Sequence, residues 1–401
     1  MKYEFNLPNS VEFIIKRINE NGHRADIVGG PVRDFLLGKA PSDFDITTSA
    51  EPEEIKKIFA DMRTIDTGIK HGTVTLLAFG ESFEITTYRI DGEYKDSRHP
   101  ETVEFTKDLC EDLARRDFTM NAIAYNPNDG LCDLYGGRED ISEGVIRAVG
   151  EPKKRFTEDA LRILRGIRFS AVLGFKIEEK TASAMRECKE LLKNVSAERI
   201  FTEWKKLICG DHSYEVISEY GDIIEVFLPE IRGSTLPDRE RFYSSDPLIR
   251  SISLFFGADN APRAYRDAMI RLKTDSQTRD IGTLVLAENE KYNTKTDVGL
   301  KLMMSELGAE AAEIRLKLEY AVGKRSKAEA GRVRELLESR CPYRISDLDI
   351  SGADLLALGF KGGAVGAALK ELLLGVIEGK VENKRAALIS KLLASGKKEG
   401  K

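Results

Sequence analysis

Asp43 and Asp45, in the stretch SDFDITT, lie two residues apart. On an extended strand that spacing projects both carboxylates from one side. Paired hard-oxygen ligands suit Mg²⁺, which keeps waters or substrate phosphates as its remaining partners. Upstream, Ile27-Val28 leads into Gly29-Gly30 and then Val32-Arg33-Asp34. Two adjacent glycines after a strand-like lead let the backbone approach an anion closely, and Arg33 adds fixed positive charge. A metal on the aspartates and a triphosphate on the glycines and Arg33 together make the equipment of nucleotidyl transfer.

These groups need elements to hold them. Residues 9–22 have the helical spacing, with Ser10 as N-cap, Val11, Ile14, Ile15 and Ile18 on one face, and Gly22 as the stop. A strand then carries the chain to Gly29-Gly30. Pro52 opens a helix through Phe59. Thr73–Phe79 and Phe83–Arg89 read as paired strands around the turn residues Gly80-Glu81-Ser82, with Glu84 on the second. Residues 90–101, IDGEYKDSRHPE, lack any period and form a loop whose notable basic residue is Arg98. In DLARRDFTMNA, residues 112–122, the residues Arg115, Arg116, Asp117 and Asn121 fall within two helical turns, so some share a face.

Residues 125–150 are a turn-rich connector. Beyond Pro152, Thr157 caps a helix with Glu158 and Asp159 near its positive end. Arg162, Arg165 and Arg168 follow at every third position, so the row drifts around that helix by ~60° per step. From 177 onward the pattern is helical almost throughout. Ser196–Leu207 carries half a capping box, with Ile200 and Trp204 directed to a core. Residues 232–246 read as irregular, helices resume from 247 to 340, and Gly362-Gly363 precede a last helical region.

At 401 residues the chain exceeds one ordinary core, and about two to four domains are expected. A net charge of −5 excludes indiscriminate coating of nucleic acid. Yet residues 151–206 hold 14 Lys and Arg against 9 Asp and Glu, a local surplus suited to an anionic ligand. The five cysteines (110, 132, 188, 209 and 341) show no C-x-x-C spacing and fit reduced thiols in a cytoplasmic protein. The N-terminus has neither the basic nor the apolar region of a signal peptide, and no apolar run reaches the ~20 residues of a membrane span.

Joined over this stretch, GG-x-VRD…D-x-D resembles the head of the class II tRNA nucleotidyltransferase and bacterial poly(A) polymerase family, the family of the bacterial-type CCA-adding enzymes. The resemblance implies an α+β chain: a small mixed-sheet, polymerase-beta-like nucleotidyltransferase head followed by all-α neck, body and tail. The expected bounds are 1–150, 151–210, 211–310 and 311–401. It implies that Asp43 and Asp45 bind Mg²⁺ in a two-metal mechanism, with Glu84 as a third catalytic carboxylate. The R-R-D-F-T-x-N-A segment is implied to hold the incoming nucleotide, arginines 115 and 116 on phosphates, Asp117 and Asn121 on ribose hydroxyls. Glu158, Asp159 and Arg162 match the family's E-D-x-x-R template motif, with Arg165 and Arg168 closing the site or reaching phosphate. The implied partners are tRNA, through its 3′ end and acceptor and elbow regions, with ATP and CTP; neither DNA nor a membrane is implied.

The template chemistry follows from base edges. Cytosine offers an N3 acceptor beside an N4 donor, and adenine offers N1 beside N6 in the same sense. A donating Arg162 and an accepting Asp159 satisfy either, whereas guanine and uracil leave buried groups unpaired. In the family, CCA- and A-adding members carry the loop at 90–101 that CC-adding enzymes shorten. Asp66-Thr67-Gly68-Ile69-Lys70-His71-Gly72 stands where poly(A) polymerases carry a G-R-R-F-like segment. The expected activity is therefore addition of C, C and A to tRNA 3′ ends. The alternatives are A-addition alone, poly(A) synthesis, and a non-catalytic tRNA-binding protein. A small-molecule adenylyltransferase explains the D-x-D pair but neither the template motif nor the tail.

Overall fold

A computed structural model describes residues 4–92, 103–287 and 292–394. The chain forms two compact units, Met1–Pro229 and Glu230–Lys401. Every candidate site residue lies in the first, and Arg98, with most of its loop, lies outside the described residues.

The first unit is built on a seven-stranded mixed sheet. Its strands in chain order are β1 (Ala25–Val28), β2 (Asp45–Thr48), β3 (Arg63–Gly68), β4 (Thr73–Ala78) and β5 (Glu81–Thr87), then β8 (Ile123–Asn126) and β9 (Gly130–Asp133). Between the two groups, β6 (Arg89–Asp91) and β7 (Val103–Phe105) pair as a separate ribbon. The sheet order is β3-β4-β5-β2-β1-β8-β9. Only β2 and β5 run parallel; the other neighbours are antiparallel. The mixed sheet expected from the family resemblance is thus present, with helices after it.

Alternation along the strands separates two faces. Ile46, Ile85, Val74 and Leu76 are fully or almost fully buried on one. Helices α1 (Asn9–Glu20) and α3 (Pro52–Ile58) pack beside β1 and β4, and α1 buries the expected Val11, Ile14, Ile15 and Ile18. Its N-cap, however, is Pro8 rather than Ser10, and no side chain caps it. The opposite face carries Asp45, Thr47, Glu84, Thr86 and Thr73 along the paired strands. Part of that face is covered by α4 (Leu109–Ala114), whose Leu109 and Leu113 cluster with Val28, Tyr88 and Ala124. The rest stays open.

Two local readings are corrected. Residues 112–122 are not one helix: α4 ends at Ala114, and a 3-10 turn follows at Thr119–Asn121. The helix beyond Pro152 is two helices, α6 (Pro152–Glu158) and α7 (Leu161–Leu173), after α2 (Gly30–Leu36) and α5 (Gly137–Glu143) earlier in the chain. Thr157 therefore ends α6 instead of capping a helix, and its hydroxyl donates to the carbonyls of Lys153 and Lys154. Asp159 sits in the break with extended backbone, φ −139° and ψ 103°. Downstream, α8 (Glu179–Cys188) and α9 (Ala197–Cys209) complete the packing around α7, and Trp204 is buried as expected. Gly166 permits that packing: a Cβ there would lie 2.4 Å from Met185 Cε and 2.8 Å from Phe118 Cζ.

The second unit is helical. The stretch 232–246, expected to be irregular, contains a helix at Arg239–Ser244 whose N-cap Asp238 accepts from the Arg241 N–H. Helices continue through Lys327–Glu338. A terminal cluster gathers Leu355, Leu369, Leu372, Leu388 and neighbours around the helix Gly363–Ile377, which begins at the Gly362-Gly363 pair.

Candidate active site

The parallel pairing of β2 with β5 sets Asp45 directly beside Glu84. Both carboxylates face a cleft of about 220 Å³ whose lining includes Arg89, Arg115 and Arg116. Asp43, two residues before Asp45, is exposed and accepts a hydrogen bond from Ser42 Oγ at 3.0 Å. Water reaches Asp45, but the surrounding protein displaces enough solvent to push its carboxyl above the usual range. Repulsion from Asp43 and Glu84 adds to that rise, while Arg116 and Arg165 oppose it. Among the described residues no three His, Cys, Asp or Glu side chains form a ready-made metal cage. A pair of hard carboxylates on an open face is nonetheless a donor set that Mg²⁺ accepts, since waters and phosphates fill its other positions.

Arg115 and Arg116 are aimed by a residue the sequence reading did not single out. Asp112 is fully buried. Its Oδ1 accepts from Arg115 Nε and Nη2 at 3.0 and 2.7 Å, and its Oδ2 from Arg116 Nη2 at 3.0 Å. Burial alone would raise its pKa, but the two guanidinium groups outweigh that and hold it below the ordinary value. Its spacing to the arginines, three and four residues along one helix, was the available signal. Arg89, which donates to the His71 carbonyl at 2.5 Å, is a second cleft residue that sequence reasoning passed over.

A second group forms on the other side of the glycines. Gly29 has φ +77°, a conformation that L side chains rarely adopt, and a Cβ there would meet Arg116 Nη1 at 3.4 Å. Gly30 opens α2, which carries Arg33. Arg33 Nη1 donates to Asn121 Oδ1 at 3.0 Å, and Asn121 Nδ2 donates to Asp117 Oδ1 at 3.2 Å. Asp117 Oδ2 in turn accepts from Arg165 Nε at 2.8 Å. Burial pushes the Asp117 carboxyl up, but the Arg165 charge and hydrogen bonds from Asn121, Arg165 and the Phe118 N–H bring it to about 2. Phe169 lies among three guanidinium groups, those of Arg168, Arg33 and Arg165 at 3.7, 5.3 and 5.5 Å from its ring centre. Arg168 also bonds the buried Glu203 at 2.5 Å.

The template residues occupy the α6–α7 junction. Arg162 Nη1 donates to Glu158 Oε2 at 2.7 Å and to the Arg155 carbonyl at 3.2 Å, and its Nη2 donates to the Arg115 carbonyl at 2.8 Å. Asp159 turns to other partners: Oδ1 accepts from the Leu161 N–H at 3.1 Å and Oδ2 from Arg199 Nη2 at 2.7 Å. The two side chains expected to read a base are thus held by separate partners, while Glu158 and Arg162 are joined.

Comparison with known proteins identifies the family. The family model for the Poly A polymerase head domain matches residues 25–147, and that for the probable RNA- and SrmB-binding site of polymerase A matches 174–232. A CCA-adding enzyme of Enterococcus faecalis is 37% identical over 391 residues, 94% of this chain and 93% of that protein. The chain belongs to the CCA-adding enzyme family. A CCA-adding enzyme of Streptococcus gordonii is 35% identical and covers 94% of both proteins. The crystal structure of the Bacillus stearothermophilus CCA-adding enzyme in complex with CTP is similar at a TM-score of 0.75 and 29% identity, covering 98% of this chain and 100% of that one. Membership of the CCA-adding enzyme family makes the chain a nucleotidyltransferase by descent. Among the described residues no helix is long and apolar enough to cross a membrane.

Proposed function

We propose that this chain adds C, C and A to the 3′ end of tRNA from CTP and ATP. The observation that carries the reading is the register match of Asp45 with Glu84 beneath Arg115 and Arg116, in a chain that spans nearly the whole length of a CCA-adding enzyme. In each cycle the tRNA 3′-oxygen forms a bond to the α-phosphorus of the nucleotide, the bond to the β-phosphate oxygen breaks, and pyrophosphate leaves. Asp43 and Asp45 would hold Mg²⁺, which when bound supplies two-metal charge stabilisation for the attacking and leaving oxygens. Glu84 enlarges the negative field that attracts the cation.

The chain's own residues then divide the nucleotide between them. Arg115 and Arg116, preset by Asp112, and Arg33 behind the open backbone at Gly29-Gly30, neutralise phosphate charge. Asp117 and Asn121 offer carboxylate and amide to the ribose hydroxyls, with Arg165 holding the carboxylate. At the α6–α7 break, Asp159 accepts from the exocyclic amine and Arg162 donates to the neighbouring ring nitrogen, with Glu158 fixing the arginine. Arg168, stacked on Phe169, contributes positive charge along the entry. We further infer a functional division into head 1–150, neck 151–210, body 211–310 and tail 311–401, with tRNA docking through neck and tail and the enzyme working in the cytoplasm. Support for RNA contact comes from the match over residues 174–232 and from the local basic surplus in 151–206.

The test is incubation with Mg²⁺ and a tRNA lacking its 3′ CCA, each labelled nucleotide being offered alone and then CTP with ATP. Two C additions followed by one A are expected. Addition of A only to a tRNA that already ends in CC would make this an A-adding enzyme, and long A tracts would make it a poly(A) polymerase. No incorporation at all would leave a tRNA-binding protein.

A further inference from the structure

We propose that Arg199 is a positioning residue for base selection: its guanidinium clamps the Asp159 carboxylate in the orientation from which that carboxylate reads the incoming base. The inference rests on the reading of Asp159 as a base-selecting residue. Asp159 lies between two helices, on extended backbone, so no helical ladder disciplines its side chain. Two hydrogen bonds do so instead. One is local, from the Leu161 N–H. The other comes from a different helix, where Arg199 in the first turn of α9 reaches Oδ2 at 2.7 Å. Arg162 does not bond Asp159: its Nη atoms donate to Glu158 and to the carbonyls of Arg155 and Arg115.

The clamp has a direct consequence for selectivity. A carboxylate with each oxygen held by a donor still has lone pairs left for the N4 amine of cytosine or the N6 amine of adenine. Held in place, it also repels the O4 of uracil and the O6 of guanine, and that repulsion supplies much of the discrimination. A carboxylate free to rotate swings away from those oxygens and tolerates them. Loss of Arg199 therefore improves the wrong nucleotides relative to the right ones.

Arg199 touches Asp159 through one nitrogen, as Arg162 does Glu158 and Arg168 does Glu203. Its Nη1 is buried and finds no hydrogen-bond partner among the described residues. A buried guanidinium nitrogen without an acceptor is costly to keep.

The test compares kcat/KM for CTP against UTP, and for ATP against GTP, on tRNA ends awaiting C and A respectively. Wild type, Arg199→Gln, Arg199→Lys, Asp159→Asn and the Asp159→Asn/Arg199→Gln double variant are assayed, with thermal unfolding of each recorded. Arg199→Gln is expected to lower both ratios roughly tenfold or more, with KM for CTP and ATP rising more than kcat falls. Arg199→Lys should recover part of the selectivity, and the double variant should be no less selective than Asp159→Asn. Wild-type ratios in Arg199→Gln, beside lost selectivity in Asp159→Asn, would overturn the clamp and leave base reading by Asp159 standing. Full selectivity in Asp159→Asn would remove the underlying reading and the clamp with it. Should Arg199→Gln not fold, Arg199→Lys decides: a folded lysine variant with wild-type ratios overturns the proposal, and one with reduced ratios supports it.

Discussion

Asp112 never meets the open cleft, yet both arginines that line it take their orientation from this one buried carboxylate. Asp112→Asn keeps the shape and removes the charge with which both guanidinium groups pair. Breaking a buried pair in this way destabilises by about 3–5 kcal/mol. The expected result is a lower unfolding midpoint together with a KM for CTP and ATP raised roughly tenfold or more, as freed arginines lose their aim; steady-state kinetics and calorimetry check both. At Asp45 the prediction concerns metal. Loss of solvent around it and repulsion from Asp43 and Glu84 raise its carboxyl, and a bound cation would offset that repulsion. Millimolar Mg²⁺ should raise the unfolding midpoint of wild type and do so less, or not at all, in Asp45→Asn. Asp43→Ala should abolish transfer while tRNA binding, read by filter retention, persists. The D-x-D spacing of Asp43 and Asp45 was visible in the sequence, whereas Glu84 was singled out through the family resemblance, and the strand register places it beside Asp45. Asp112 was not legible, because acid and arginine three or four residues apart look the same on a solvated helix, and only burial separates the two cases.

Among the elements, the strands around the site followed the sequence closely, since alternation of apolar and polar residues on a half-buried sheet leaves one solution. The α6–α7 junction was misread for a physical reason. Pro152 carried the signal of a helix start, as Pro52 did, but the Thr157-Glu158-Asp159 run has the composition of a second start and drew the reading to itself. The resulting break matters, because it frees Asp159 from helical backbone. The arginines after it were likewise seen as a drifting row; Arg162 pairs locally with Glu158, while the partners of Arg165 and Arg168, Asp117 and Glu203, come from distant segments that no spacing rule reaches. At the entry to α2, Gly29→Ala places a Cβ at φ +77° and 3.4 Å from Arg116 Nη1. That backbone strain costs on the order of 1–3 kcal/mol, and nucleotide affinity should fall more than tRNA affinity, as equilibrium binding of each would show. The join between α7 and the Thr119–Asn121 turn is also pH-sensitive. The Asp117 carboxyl falls to about 2 in the folded protein from an unfolded value near ~3.9. A depressed carboxylate contributes stability that is fully present above the unfolded value and disappears as pH falls through the folded one. Roughly 2 kcal/mol should therefore be lost between about pH 4 and 2, and Asp117→Asn should flatten that part of the stability–pH curve.

At the scale of the whole molecule, every residue assigned to chemistry belongs to Met1–Pro229, and Glu230–Lys401 contributes none of them. Each unit has its own buried cluster, Val28, Tyr88 and Leu113 in the first and Leu355, Leu372 and Leu388 in the second. Separate cores make separate cooperative transitions the expectation for denaturant unfolding of the full chain. If the nucleotide is held by the first unit alone, CTP with Mg²⁺ stabilises only the transition that reports on it. At a ligand concentration of ~100 times its Kd the gain is ~2.7 kcal/mol. A tRNA that also uses the tail stabilises both transitions, because it binds the folded form of each. Trp204, the chain's single tryptophan, is buried in the first unit, so its fluorescence follows that unit while far-ultraviolet dichroism follows the sum. A CTP-dependent shift in dichroism with no shift in Trp204 fluorescence would place nucleotide binding in the second unit and overturn the division of labour proposed for this chain. A CTP-dependent shift of the transition followed by Trp204 fluorescence, with the other transition seen by dichroism unmoved, would uphold it.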